Sequence, residues 1–316
     1  MKEPKRPVLA HGKVRHVGDA YAAVIAETEQ QARDAAEKIN ADIKELPAVI
    51  DMASALSGSN FVHDEIGTNQ CYDWGWIEDN REATDNAIKN AHHVTTLELV
   101  NNRLVPNAME PRCSIADYNP ANDDYTLYTT SQNPHLTRLL ISAFVLGIPE
   151  NKLTVVSPDV GGGFGSKIYH YGEEALVLAA AKRIKRPVRW TATRSESFMT
   201  DAHGRDHVTK IELALDKDNN FLAFRTETMA NVGAYLSNFS TVTPTILHGT
   251  LMAGNYAVPN VYVNVKTVFT NTAPVDAYRG AGRPEATYSL ERVIDKAATE
   301  LGLDPTNLRR QNFIKS

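Results

Sequence analysis

The sequence predicts a mixed α+β fold on three observations: a strand–helix–strand unit near the start, a middle run of short alternating segments, and an amphipathic helix near the end. In the first, residues 20–26 and 41–46 read as strands, the second stopped by Pro47, which cannot donate to a ladder. Between them residues 28–39 read as a helix, with Thr28 placed to cap it and Ala32, Ala35, Ala36 and Ile39 on one face. Residues 58–94 are less patterned, apart from a polar helix candidate over 80–91, and read as a linker into the main domain.

From there, residues 95–100, 113–118 and 125–129 alternate as strands and 136–146 suit a helix. Residues 153–156 form a strand-like run, and after a glycine-rich stretch Ala175, Leu176, Leu178, Ala179 and Ala180 mark a helix. Strands follow over 188–193, 208–215 and 221–230, the last two joined by Asp216-Lys217-Asp218-Asn219-Asn220, a run rich in turn formers. The final helix, 285–301, stops at Gly302 with Pro305 just beyond, as a C-terminal stop should. No internal repeat or low-complexity tract interrupts the pattern.

A chain of 316 residues can bury a substantial core. Its net charge of −5, with basic residues scattered, offers no stripe for nucleic acid. No apolar run reaches the ~18 residues of a membrane span. Met1 is followed by Lys2, Glu3, Pro4, Lys5 and Arg6, which is no signal peptide, so a soluble, cytoplasmic protein is expected. The two cysteines, Cys71 and Cys113, lie far apart and support neither a disulfide framework nor an iron–sulfur site.

Function is carried by two glycine-rich loops, Gly161-Gly162-Gly163-Phe164-Gly165-Ser166-Lys167 and Ala277-Tyr278-Arg279-Gly280-Ala281-Gly282-Arg283. Without a Cβ, such backbone approaches a ligand closely and turns its N–H groups onto anionic oxygens. The first loop, between a strand and a helix, also suits a mononucleotide site or a plain tight turn. Its spacing is neither G-x-G-x-x-G nor the P-loop pattern, and no acidic residue stands at the expected ribose position. Two loops suggest one bulky polar ligand gripped twice.

These loops, together with Thr130-Ser131-Gln132-Asn133-Pro134-His135 and Met109-Glu110-Pro111-Arg112, resemble in the same order the large subunit of the molybdenum hydroxylases, the xanthine dehydrogenase, aldehyde oxidase and carbon monoxide dehydrogenase superfamily. The resemblance implies that residues 1–57 are the C-terminal part of an α/β hammerhead domain, 58–94 a linker, and 95–316 the first molybdopterin-binding domain. It implies a molybdenum–pyranopterin cofactor, in a molybdopterin or cytosine dinucleotide form, held with little direct ligation by side chains, so no metal ligands are expected. Gln132 matches the glutamine that offers its amide to an oxo group, Gly162, Gly163, Phe164 and Gly165 the loop near the cofactor, and Arg279 and Gly280 the second loop. Gln132 and Arg279 are accordingly the expected catalytic positions. Iron–sulfur clusters and FAD would reside on a small and a medium partner subunit.

The resemblance also narrows the substrate. The acidic residue that follows the loop lysine in xanthine-oxidising relatives is Ile168 here, Ala281 replaces the stacking aromatic, and no purine-binding arginine appears near Leu247 and His248. The copper-bridging cysteine of carbon monoxide dehydrogenases is Gly280. An aldehyde or N-heterocycle is the expected substrate, oxidised with water as oxygen source. The family's glutamate base occurs in a Gly-x-Gly-Glu segment not present here, so the chain is expected to be a piece of the catalytic subunit needing the remainder of that subunit. Glu110, Glu173, Glu174 and Glu285 are local carboxylates that sequence alone does not place at the metal. The His203 and His207 pair has chelating spacing only on a helix, and Gly204 argues for a loop. A non-catalytic structural chain and a nucleotide-binding module remain as alternative readings.

Overall fold

The computed structural model describes residues 1–315; Ser316, the last residue of the expected 95–316 domain, lies outside the described residues. Near the N-terminus, α1 (Glu29–Ala36) is capped by Thr28, whose side chain accepts from the Gln31 N–H while the Gln31 side chain accepts from the Thr28 N–H. The flanking segments 20–26 and 41–46, expected as strands, are a correction: they have no regular secondary structure and join neither sheet among the described residues. Their composition is strand-like, yet a strand exists only through its ladder to a neighbour. Tyr21, Ile25, Ile43 and Leu46 accordingly remain exposed.

The chain continues through α2 (Met52–Ser57), β1 (Gln70–Trp76), α3 (Arg81–Lys89), β2 (His93–Asn101), β3 (Cys113–Asn119) and β4 (Asp124–Thr129). Next, α4 (Pro134–Leu140) runs into a π-helical turn over Ile141–Leu146, followed by β5 (Leu153–Val156), α5 (Gly172–Ile184), β6 (Val188–Thr191) and α6 (Arg194–Thr200). The remainder is β7 (His207–Leu215), β8 (Phe221–Gly233), α7 (Ile246–Gly249), β9 (Asn260–Phe269), α8 (Arg283–Leu301) and α9 (Pro305–Asn312).

Among the described residues two sheets form, a five-stranded one in the order β1-β9-β8-β7-β2 and a four-stranded one in the order β5-β4-β3-β6. Segment 58–94 is therefore built into the main body, since β1 pairs antiparallel with β9 and α3 packs against β8 and β9. The turn between β7 and β8 is set by Asp216, whose carboxylate accepts from the Asp218 and Asn220 N–H groups, each at 2.8 Å. Along β8, Phe224 enters the core beneath α8 while its neighbour Arg225 bonds Asp85 of α3. Successive strand residues face opposite sides, so the two helices cover opposite faces of the large sheet.

In the small sheet, β5 runs parallel to β4, and the other pairings are antiparallel. A parallel pair needs a crossover, which α4 and its π-helical turn supply. Leu127, Ile141, Leu178 and Ala181 pack fully buried between this sheet and α5. Because β4 and β5 point the same way, the segment after β4 and the loop after β5 emerge at one edge. The loop leading from β9 into α8 comes from the large sheet, so the site lies where the sheets meet.

Candidate functional site

Gln132 leaves the end of β4 and Gly161–Lys167 follow β5. The Gln132 N–H donates to the Lys167 carbonyl at 2.7 Å. Its side-chain Oε1 accepts from the Gly165 N–H at 3.0 Å and, more weakly, from the Lys167 N–H at 3.4 Å. Two backbone donors on one amide oxygen fix which end is which. The Gln132 NH2 is therefore turned away from the loop, and among the described residues it has no acceptor.

Gly163 is required by this contact: a Cβ there would fall on the Gln132 amide. Gly165 adopts φ +114°, and a Cβ there would strike the Ala277 carbonyl of the second loop. Gly162 lies against the Phe164 ring. Phe164 itself sits at φ +55°, uncommon for a non-glycine residue, and is 42 % exposed. Its carbonyl accepts from the Arg279 N–H at 2.9 Å, and the Arg279 guanidinium lies 5.7 Å from the Phe164 ring centre. Gly280 follows, its carbonyl accepting from the Arg283 side chain at 3.1 Å. The expected site residues Gln132, Gly162, Gly163, Phe164, Gly165, Arg279 and Gly280 thus form one continuous patch. Among the described residues, the N–H groups of Gly163, Phe164 and Gly280 have no partner.

A supporting layer holds the loops. Glu110 Oε2 accepts from the Gly161 N–H and from Lys167 Nζ, each at 2.8 Å, and so ties both ends of the first loop. Burial would raise the Glu110 carboxyl, but Lys167 and the Gly161 N–H outweigh it and hold it below its ordinary value. Tyr171 OH donates to the Ser166 carbonyl at 2.5 Å, and Tyr169 OH to the Ala277 carbonyl at 3.1 Å. Asp276 accepts from the Ala277 and Phe239 N–H groups, and burial pushes its carboxyl up to about 6.

Each local carboxylate is committed within the fold. Glu173 pairs with Arg112, which also binds Asp201 and lies 3.6 Å from the Tyr171 ring centre. Glu174 accepts from Thr129 at 2.7 Å and from the Tyr171 N–H at 3.0 Å, and burial pushes it up to about 7. Glu285 pairs with Arg205. Lys167 is spent on Glu110, unlike a phosphate-binding lysine that must reach a ligand. His203 lies in a loop, bonded to Arg103 and the Phe198 carbonyl, while His207 starts β7. Cys71 and Cys113 are free thiols in different sheets.

The sequence motifs exposed Lys167 and Glu110 but not their mutual bond. Tyr169 and Tyr171 carried a weak signal in lying just beyond the first loop. Arg205 carried none, because its left-handed φ of +66° is invisible in composition.

The chain matches the molybdopterin cofactor-binding domain family over residues 62–313 and the hammerhead domain of aldehyde oxidase and xanthine dehydrogenase over residues 1–47. It is 35 % identical to the carbon monoxide dehydrogenase large chain of Hydrogenophaga pseudoflava, across 98 % of this chain and 40 % of that protein. It is 34 % identical to the 6-hydroxypseudooxynicotine dehydrogenase complex subunit gamma of Paenarthrobacter nicotinovorans, across 98 % of this chain and 38 % of that one. Quinoline 2-oxidoreductase of Pseudomonas putida 86 superposes with a TM-score of 0.91 at 32 % identity, covering 98 % of this chain and 39 % of the other. The chain therefore spans about two fifths of the length of these relatives.

Proposed function

The chain belongs to the molybdenum hydroxylase large-subunit family, that of xanthine dehydrogenase, aldehyde oxidase and carbon monoxide dehydrogenase, and on that premise we propose that Gln132 and the two glycine loops form one wall of a molybdenum–pyranopterin site. The observation that carries this reading is the Gln132 amide, held by the first loop so that its NH2 is free to donate.

The residues fit such a group. Free N–H donors on Gly163, Phe164 and Gly280 suit an anionic, oxygen-rich ligand, and the absent Cβ of Gly163 lets the Gln132 amide lie directly against the loop. The bound cofactor would supply two-electron oxidation with water as oxygen source. Gln132 would donate to an oxygen of the cofactor as a neutral group that adds no charge. The loop N–H groups would take its polar edge, while Phe164 and Arg279 would border the reacting face.

The substrate we assign is an aldehyde or an N-heterocycle. Gly280 stands where a copper-holding thiolate would be needed, and neither Cys71 nor Cys113 lies in either glycine loop. Electrons would leave through iron–sulfur and FAD centres on small and medium partner subunits. The base would come from the remaining part of the large subunit, since Glu110, Glu173, Glu174 and Glu285 all serve internal partners. Among the described residues no helix is long and apolar enough to cross a membrane; we assign the complex to the cytoplasm.

The test is to co-express the chain with the rest of the large subunit and both partners, then measure molybdenum, pterin and dye reduction. Stoichiometric molybdenum and reduction driven by a quinoline-type heterocycle or an aldehyde are expected. A complex that assembles without molybdenum would instead fit a structural chain, and robust reduction by carbon monoxide would overturn the substrate assignment.

A further inference from the structure

We propose that Arg205, countered by Glu285, is a positioning residue for the second glycine loop, fixing Tyr278 and Arg279 where that loop meets the cofactor; the inference rests on the cofactor reading above.

Arg205 is almost wholly buried, with 8 % of its side chain exposed, and Glu285 is more so, with 2 % exposed. One guanidinium nitrogen donates to the Tyr278 carbonyl at 3.1 Å and to Glu285 Oε2 at 2.8 Å, while the other donates to the Arg279 carbonyl at 3.0 Å. Its plane lies 4.9 Å from the Tyr278 ring centre. Three acceptors in fixed directions are a task for a planar fork, which an ammonium on a flexible stem does not match.

The backbone around Arg205 is shaped to this end. Arg205 and Asp206 adopt φ of +66° and +67°, costly for consecutive non-glycine residues, and such strain persists only where its surroundings impose it. At the preceding Gly204, a Cβ would run into the Tyr278 side chain. The Asp206 side chain is held by Arg103, which also binds the Ala273 carbonyl upstream of the loop.

Glu285 lies in the first turn of α8, where the helix N-terminus favours a negative charge. The rings of His207 and His248 are 5.3 Å apart beside this pair, and burial lowers them to about 4 and about 3. Both are neutral near pH 7, which leaves Arg205 as the cation bonded to Glu285. The consequence reaches the first loop, because the residue whose carbonyl Arg205 holds also donates its N–H to Phe164.

The test uses Arg205→Lys, which keeps the charge and its pairing with Glu285 but loses the fork, and Glu285→Gln as a second variant. Hydrogen exchange on the co-expressed complex prepared without molybdenum reads the loop without involving the cofactor. The Arg279 and Ala281 amides, bonded to the Phe164 and Tyr278 carbonyls, are expected to exchange at least tenfold faster in R205K, with amides of β4 and β5 unchanged and E285Q intermediate. In the assembled enzyme R205K is expected to retain several-fold less molybdenum. Unchanged exchange at those two amides in both variants would overturn the proposal, as would an increase spread evenly over both sheets. A wild-type complex lacking molybdenum would remove the cofactor reading, while the exchange result would still decide whether Arg205 positions the loop.

Discussion

The Arg279 N–H donates to the Phe164 carbonyl at 2.9 Å, so two glycine loops arising from different sheets are joined through their main chains. The bond depends on Gly165, one residue after Phe164, whose φ of +114° brings the first loop against the Ala277 carbonyl. Gly165→Ala should therefore cost about 2–4 kcal/mol, combining a strained φ with a clash against immovable backbone. Gly163→Ala meets the flexible Gln132 side chain first, which can swing aside at the loss of its bonds from the Gly165 and Lys167 N–H groups, so it should cost about 1–2 kcal/mol while displacing the amide. Chemical denaturation of both variants decides the point; equal losses would contradict the geometry.

Replacing Gln132 by Glu keeps the shape and the oxygen that accepts from Gly165 but removes the NH2 donor. Stability should change by about 1 kcal/mol or less, whereas turnover of the assembled enzyme should fall by about a hundredfold, the scale of losing one preorganised donor. Unchanged turnover in Gln132→Glu and Gln132→Ala would take this residue out of the site.

Much of this arrangement was legible in the sequence because it rests on local rules. The first loop needed glycines at fixed places, the Asp216 turn needed its acceptors, and α8 ended at Gly302 in a left-handed conformation. What escaped was non-local. Strand β9 is buried at seven of its ten residues, in runs that erase the period of two, and β1 is an edge strand containing Gly75. Segments 20–26 and 41–46 looked like strands because pattern reports side-chain preference, while pairing depends on a partner the pattern does not name. Arg205 was invisible for the same reason: its acceptors lie on the far side of β7, β8 and β9 in sequence.

The Glu110–Lys167 pair should respond asymmetrically to truncation. The Lys167 side chain is 1 % exposed and the Glu110 side chain 35 % exposed. Glu110→Ala strands a buried ammonium and should destabilise by roughly 3 kcal/mol, whereas Lys167→Met leaves a carboxylate that water can reach and should cost about 1 kcal/mol. Urea unfolding midpoints of the two variants would reveal the order, and the reverse order would mean that Lys167 reaches solvent in solution.

Glu174 gives the chain a pH-dependent stability. Its carboxyl is raised by burial from 4.5 to about 7, with Thr129 and the Tyr171 N–H only partly offsetting the loss of water. Between those values the folded state holds a proton that the unfolded state has released. The stabilisation is complete below about pH 4.5 and is lost as pH rises through about 7, by roughly 3 kcal/mol at most. Asp276, raised by burial from 3.8 to about 6, adds the same sign in a lower window. Glu174→Gln keeps an acceptor for Tyr171 and offers an NH2 toward Thr129, but carries no ionisable proton. Its melting temperature should therefore exceed that of the wild type at pH 8 and approach it at pH 5. If the two proteins instead lose stability in parallel across that range, Glu174 is not the group that titrates.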